Sequence, residues 1–179
     1  MNDLNIIGID PGNHLGLSVL TIDPKDLQIK NIFTKTITLD RLIETPIMAV
    51  RLNFLRNLVD DIYYSFRPLS VAIETSFLNI KYPKAVIQLS QYVGTIESRC
   101  IELDPTIKLF RYAPMYVKSV ISGSGTAKKE DMSVAVKNNV ELNKLVNVNL
   151  LSEHEVDATA IAYTSLLEFR NYWFYILSI

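Results

Sequence analysis

The stretch N-I-I-G-I-D-P-G-N-H-L-G-L-S-V-L, residues 5–20, constrains the fold more than any other part of the chain. Two apolar runs flank a Pro-Gly turn, and the first run ends in a carboxylate, Asp10. Short apolar runs bounded by turn residues read as buried strands. Residues 5–9 therefore read as one strand and 16–22 as a second, joined through P-G-N-H. Residues 27–39 alternate partially and give a third strand. The gaps are short, so the three are expected to form an antiparallel meander. Read alone, Asp10 is more often a turn or capping residue than a ligand. Its meaning depends on what else the chain brings to that strand end.

Further along, Thr45-Pro46 marks a helix start, with Pro at the first helical position. Ile47, Val50, Phe54, Leu58, Ile62 and Phe66 follow helical spacing until Arg67-Pro68. Leu69 to Ile73 is a short apolar run closed by a second carboxylate, Glu74. Pro83 opens another helix, with Val86, Leu89, Val93, Ile96 and Cys100 on one face. Ile107 to Tyr112 reads as a strand, 115–121 as a short helix, G-S-G-T-A-K-K as a loop and 129–139 as a helix. Residues 141–151 carry no decisive pattern, and 153–170 read as a long final helix. The order predicts an α/β fold, a mixed sheet with helices on its faces. At 179 residues, without repeats or a low-complexity linker, the chain is expected to be a single domain over 1–179.

Composition narrows the function classes. The only cysteine, Cys100, excludes an intramolecular disulfide and a Cys-rich zinc site and fits a reducing compartment; it reads as a small core hydrophobe. The start M-N-D-L-N lacks a signal peptide's basic and apolar regions. The apolar tail Tyr172–Leu177 is too short to span a bilayer and is expected to pack on the core or on a second subunit, so no membrane is implied. A net charge of −1 lends no support to a nucleic-acid partner. The segment from Lys108 to Lys137 differs, with six basic residues against two acidic ones. Charge alone favours a solvated face there.

Two strands thus end in carboxylates, and ligands tend to bind beyond the carboxyl ends of parallel strands. The final helix begins S-E-H-E-V-D-A-T-A-I-A-Y, where His154 and Asp157 share a face one turn apart. Glu153 is four residues from Asp157, so spacing does not choose between Glu153 and His154 as its companion. Glu153 and Glu155 are also explained as partners of the helix dipole. Carboxylates brought together repel and do not all ionise unaided. A divalent cation resolves this, and carboxylate oxygens suit Mg²⁺ or Mn²⁺. Two such ions about 4 Å apart hold the attacking and leaving oxygens of a phosphodiester. Gly12 and Gly16 are then read as positions of close approach that leave room for a phosphate.

Four blocks carry a specific resemblance: I-I-G-I-D-P-G with Gly16; V-A-I-E-T-S-F; Y-A-P-M-Y-V-K-S-V-I-S-G-S-G-T-A-K-K; and H-E-V-D-A-T-A-I-A-Y. In that order, from residue 6 to about 165, they resemble the RuvC family of Holliday junction resolvases in the ribonuclease H-like superfamily. The resemblance implies a mixed sheet of five strands, three antiparallel and then parallel ones, with helices on both faces. It implies a structure-selective endonuclease acting on four-way or branched DNA, leaving a 5′ phosphate and a 3′ hydroxyl. Asp10, Glu74, His154 and Asp157 would be the metal-binding catalytic set, with two Mg²⁺ or Mn²⁺ ions per site. Phe77 would stack on bases at the junction. Lys118 and Lys129 fall on positions tied to phosphate contact or charge stabilisation, so Lys129 joins the catalytic set. A homodimer through the helix near 83–102 is implied, as is a cytoplasmic setting in a bacterial or phage-infected cell.

His154 stands where many members carry Asp, which removes one negative charge and favours the softer Mn²⁺. Gly123-Ser124-Gly125 with Lys128 and Lys129 would let backbone N–H and ammonium groups approach a phosphate, and the bland alternative is a surface loop. Phe77, Tyr82, Tyr112 and Tyr116 are candidates for stacking on bases, although Tyr112 reads better as core. His14 reads as a turn residue. Two other functions stay open. I-G-I-D-P-G-N-H-L-G also resembles the phosphate loop of actin-like and sugar-kinase ATPases, but their second lobe and adenosine motif are not visible. A non-catalytic branched-DNA module would share the fold yet gain nothing from carboxylates facing phosphate.

Overall fold

A computed structural model describes residues 2–39, 47–75 and 82–177, with side chains through Tyr172. The first three strands, β1 (Leu4–Asp10), β2 (His14–Ile22) and β3 (Ile29–Thr38), form the expected antiparallel meander. β2 begins two residues earlier than the apolar run suggests, because His14 pairs directly with Thr38. β4 (Ser70–Glu74) adds to β1 in parallel and β5 (Lys108–Tyr112) adds to β4, giving the order β3-β2-β1-β4-β5.

Strand alternation sorts the core into two layers. Ile7, Ile9, Leu17, Val19, Val71 and Ile73 face α1 (Met48–Phe66) and α2 (Pro83–Leu103). Ile6, Leu20, Ala72 and Tyr112 face α6 (Glu153–Leu177) on the other side. Between β5 and α6 lie α3 (Pro114–Ser122), α4 (Lys129–Asn138), the single turn α5 (Val140–Asn143) and a 3₁₀ turn at 148–150. These last two occupy the segment where the sequence showed no pattern.

The helix α6 lies very close to the sheet, and two glycines allow it. A Cβ on Gly8 would sit 2.1 Å from the Ala158 carbonyl oxygen, and one on Gly16 would sit 2.0 Å from that of His154. Close backbone approach is a standard reason for glycine inside a strand. Gly12 has no such neighbour within the chain; the nearest atom to a Cβ there would be 3.5 Å away. At Gly16 what approaches is the helix.

The α1 stripe is helical in period, and from Phe54 onward it meets the core: Ile62 is buried, and Phe54, Leu58 and Phe66 pack against the same cluster. Ile47 and Val50 are 58% and 42% exposed, whereas Leu55, Val59 and Ile62 are buried. A run of four-residue steps advances about 40° per step beyond a full turn, so the stripe winds from an exposed start onto the buried face. The proposed start at Thr45-Pro46 lies outside the described residues. On α2, Tyr92 joins Val93, Ile96 and Cys100 in the core. The final helix continues to Leu177, beyond the expected end at 170, and the polar residues near that point have partners. Glu168 accepts from Tyr112 and Tyr116, both at 2.7 Å, and Arg170 donates to Glu141 at 2.9 Å and to the Leu27 carbonyl at 2.7 Å. Among the described residues no helix is long and apolar enough to cross a membrane.

Candidate active site

Asp10 and Glu74 are the last residues of β1 and β4, adjacent parallel strands whose register pairs Ile9 with Ile73. Alternation from Gly8 and Ala72 turns both carboxylates to the α6 face. Gly16 pairs with Asp10 across β2, and its missing Cβ brings the first turn of α6 over that strand end. His154 Nδ1 consequently lies 2.9 Å from Asp10 Oδ2.

The local chemistry of the helix entrance settles which acid goes where. Ser152 and Glu155 form a capping box: the Ser152 N–H donates to Glu155 Oε2 at 2.7 Å, and the Glu155 N–H donates to Ser152 Oγ at 3.2 Å. Ser152 Oγ also meets Thr36 Oγ1, tying the cap to β3. Glu155 therefore belongs to the cap. Glu153 forms an ion pair with Lys129 at the start of α4. His154 and Asp157 are left facing the strand ends, an assignment that spacing alone left open.

Burial and mutual repulsion dominate the electrostatics. Burial, then the charges of Asp10 and Asp157, push Glu74 up to about 7, with Lys118 opposing. Burial, then Asp10 and Glu153, push Asp157 up to about 6, against Lys129 and His154. Asp10 is raised by burial, while its hydrogen bond to His154 pulls the other way. This is the behaviour of carboxylates that share a site without enough positive charge.

Among the described residues, no three His, Cys, Asp or Glu side chains converge into a ready-made metal cage. The donor set nonetheless suits a hard divalent cation, since three oxygen ligands repel one another and the nearby lysines only partly offset them.

Lys118, on α3, lies near enough to lower Glu74, and Lys129 acts on Asp10 and Asp157. Lys128 is exposed at the N-terminal boundary of α4. Gly123 has a local reason of its own: it ends α3 with φ +78° and donates its N–H to the Ser119 carbonyl. Gly125 packs tightly, since a Cβ there would lie 3.0 Å from the Met115 oxygen. Phe77 lies outside the described residues. Tyr112 is buried in the core as expected, and Tyr116 is exposed with its hydroxyl on Glu168.

Two neighbours of Asp10 are more involved than their sequence suggests. Asn13 Oδ1 accepts from Arg51 at 3.1 Å and from Gln88 at 2.8 Å, linking the Asp10 turn to α1 and α2. The His14 ring stacks on His154 at 5.5 Å between centroids. Each follows from partners far away in the chain, so neither had a local signal.

The sheet order and the acidic strand ends define a ribonuclease H-like domain, a class shared by solved structures. RuvC of Thermus thermophilus superposes with TM-score 0.70 over 94% of this chain and 97% of that one, at 24% identity. The same protein in complex with a Holliday junction substrate gives TM-score 0.65 at 25% identity, over 89% of this chain and 90% of that one. The chain belongs to the RuvC family: the family model for crossover junction endodeoxyribonuclease RuvC matches residues 6–165. The crossover junction endodeoxyribonuclease RuvC of Ehrlichia canis (strain Jake) is 32% identical over 171 residues, covering 94% of this chain and all (100%) of that protein. The family match, running through nearly the whole domain, sets aside the ATPase reading. The chain is thus a crossover junction endonuclease by family.

Proposed function

We propose that this chain resolves Holliday junctions, and cuts other branched DNA, by metal-assisted phosphodiester hydrolysis at Asp10, Glu74, His154 and Asp157. One observation carries the proposal: two strand-end carboxylates and a helix-entrance His and Asp meet at one end of the sheet, with His154 Nδ1 2.9 Å from Asp10. The raised carboxyls of Glu74 and Asp157 mark a site that gains by exchanging protons for a cation. When bound, Mg²⁺ or Mn²⁺ ions would supply charge neutralisation and activation of a water.

The chain's own residues do the rest. Asp10, Glu74 and Asp157 are the oxygen donors, and His154 is the nitrogen donor beside them. Lys118 and Lys129 set the charge balance at the mouth, and with Lys128 they offer cations to the DNA backbone. Cleavage that breaks the bond to the 3′ oxygen leaves a 5′ phosphate and a 3′ hydroxyl. Paired nicks require two sites, which we assign to a homodimer through α2, where Ile87 and Ile101 are 61% and 43% exposed. Phe77 and the loop of Gly123 and Gly125 complete the proposed DNA surface.

The test is cleavage of a synthetic four-way junction with Mg²⁺ or Mn²⁺. Paired, metal-dependent nicks with junction-length products are expected. Intact junction at micromolar protein, or full activity in Asp10→Asn, would overturn the proposal.

A further inference from the structure

The residues of β2 that face α6 form a short series, two positions apart, and each meets that helix differently. His14 stacks on the His154 ring at 5.5 Å with 26° between the planes. Gly16 admits the His154 backbone, which a Cβ would meet at 2.0 Å. Ser18 Oγ accepts from Thr159 Oγ1 at 3.1 Å. Backbone packing at Gly16 and the Ser18 bond place the helix along the strand, but they leave the His154 side chain free to rotate. That side chain is 36% exposed, so solvent offers it an alternative position.

The His14 ring packs against that partly exposed side chain. It is itself held, because His14 pairs with Thr38 across β3 and its Nδ1 is 3.1 Å from Thr38 Oγ1. We infer that His14 is a positioning residue: its ring, braced on Thr38, forms a wall that keeps His154 turned toward Asp10. Residues that orient a metal ligand raise affinity by fixing its geometry before the ion arrives. His14 need touch neither metal nor DNA for this role. The inference rests on His154 belonging to the metal site.

The chain has two histidines, so ring resonances in ¹H–¹³C spectra are assignable by substitution. Two variants are compared with the parent protein: His14→Ala removes the wall, and His14→Phe restores the stack without the Thr38 bond. Mg²⁺ or Mn²⁺ binding to the DNA-free protein is measured by calorimetry, together with single-turnover junction cleavage and junction affinity in Ca²⁺.

In His14→Ala the His154 ring signals should move away from their stacked positions. Metal affinity and cleavage rate should each fall about tenfold or more, with junction affinity unchanged. His14→Phe should recover most of both. Parental metal affinity and cleavage in His14→Ala would overturn the inference. So would loss of junction affinity alone, which would make His14 a DNA contact, or a failure of His14→Phe to recover while remaining folded. If metal leaves the His154 signals of the parent protein unchanged, the metal-site reading itself fails and this inference falls with it.

Discussion

His154 Nδ1 meets Asp10 Oδ2 at 2.9 Å across 144 positions of sequence. The contact joins the end of the first strand to the start of the last helix, at the centre of the proposed site. Replacing Asp10 by Asn keeps the shape and a hydrogen-bonding side chain while removing a charge that Asp157 and Glu74 both oppose. Junction cleavage by Asp10→Asn should fall by at least roughly a hundredfold, more than loss of an outer-shell partner usually costs. Its thermal midpoint in EDTA should be no lower than that of the parent protein.

The acidic cluster also fixes how stability depends on pH. Glu74 binds its proton more tightly in the fold, at about 7, than at its ordinary 4.5, and Asp157 does so at about 6 against 3.8. Both carboxyls therefore favour the folded state at low pH, and that contribution is lost as pH rises through 6 to 7. In urea titrations with EDTA, Glu74→Gln should gain on the parent protein by roughly 2–3 kcal/mol between pH 4.5 and 7.5. Metal binding should have the opposite sign, tightening as pH rises over the same interval, because the ligands must lose their protons.

The glycines provide a packing test. Gly16→Ala forces a methyl against the His154 backbone and Gly8→Ala forces one against Ala158. Each should destabilise the protein by about 3 kcal/mol, the range for forced overpacking. Gly12→Ala, with its nearest contact at 3.5 Å, should change stability little. Chemical denaturation of the three variants separates close approach from turn flexibility.

Lys128 and Lys129 should differ in their effects on DNA. Each carries a charge that a phosphate can take up, so Lys128→Ala and Lys129→Ala should each lower the salt slope of junction binding by about 1. Lys129→Ala should also slow single-turnover cleavage, because Lys129 acts on Asp10 and Asp157. Glu153→Gln releases Lys129 from its ion pair and should tighten junction binding. Titrations across a range of NaCl concentrations check all three.

Asp10 and Glu74 are legible as strand ends because their signals are local, whereas the four-residue set with His154 and Asp157 comes from the family resemblance. An apolar run that stops at Asp10, another that stops at Glu74, and a helix opening with His154 and Asp157 each reveal a strand or helix end. The α1 stripe shows the limit of such signals: its spacing fixes the element and its later half meets the core, but Ile47 and Val50 are exposed while Leu55 and Val59 are buried, because contact with α2 and the sheet sets the rotation.

By itself the sequence determined the element order, the antiparallel start and the strand-end carboxylates, since turn chemistry and hydrophobic period act over a few neighbours. Only the tertiary structure decided which members of S-E-H-E-V-D enter the site. Glu155 is drawn into the cap by Ser152, Glu153 is drawn outward by Lys129, and His154 is brought to Asp10 because Gly16 lets the helix settle on β2. The stacking of His14 on His154 and the bonds of Asn13 to Arg51 and Gln88 were decided in the same way. Spacing along one helix limits which residues share a face; the partners that claim each side chain come from strands and helices far away in the chain.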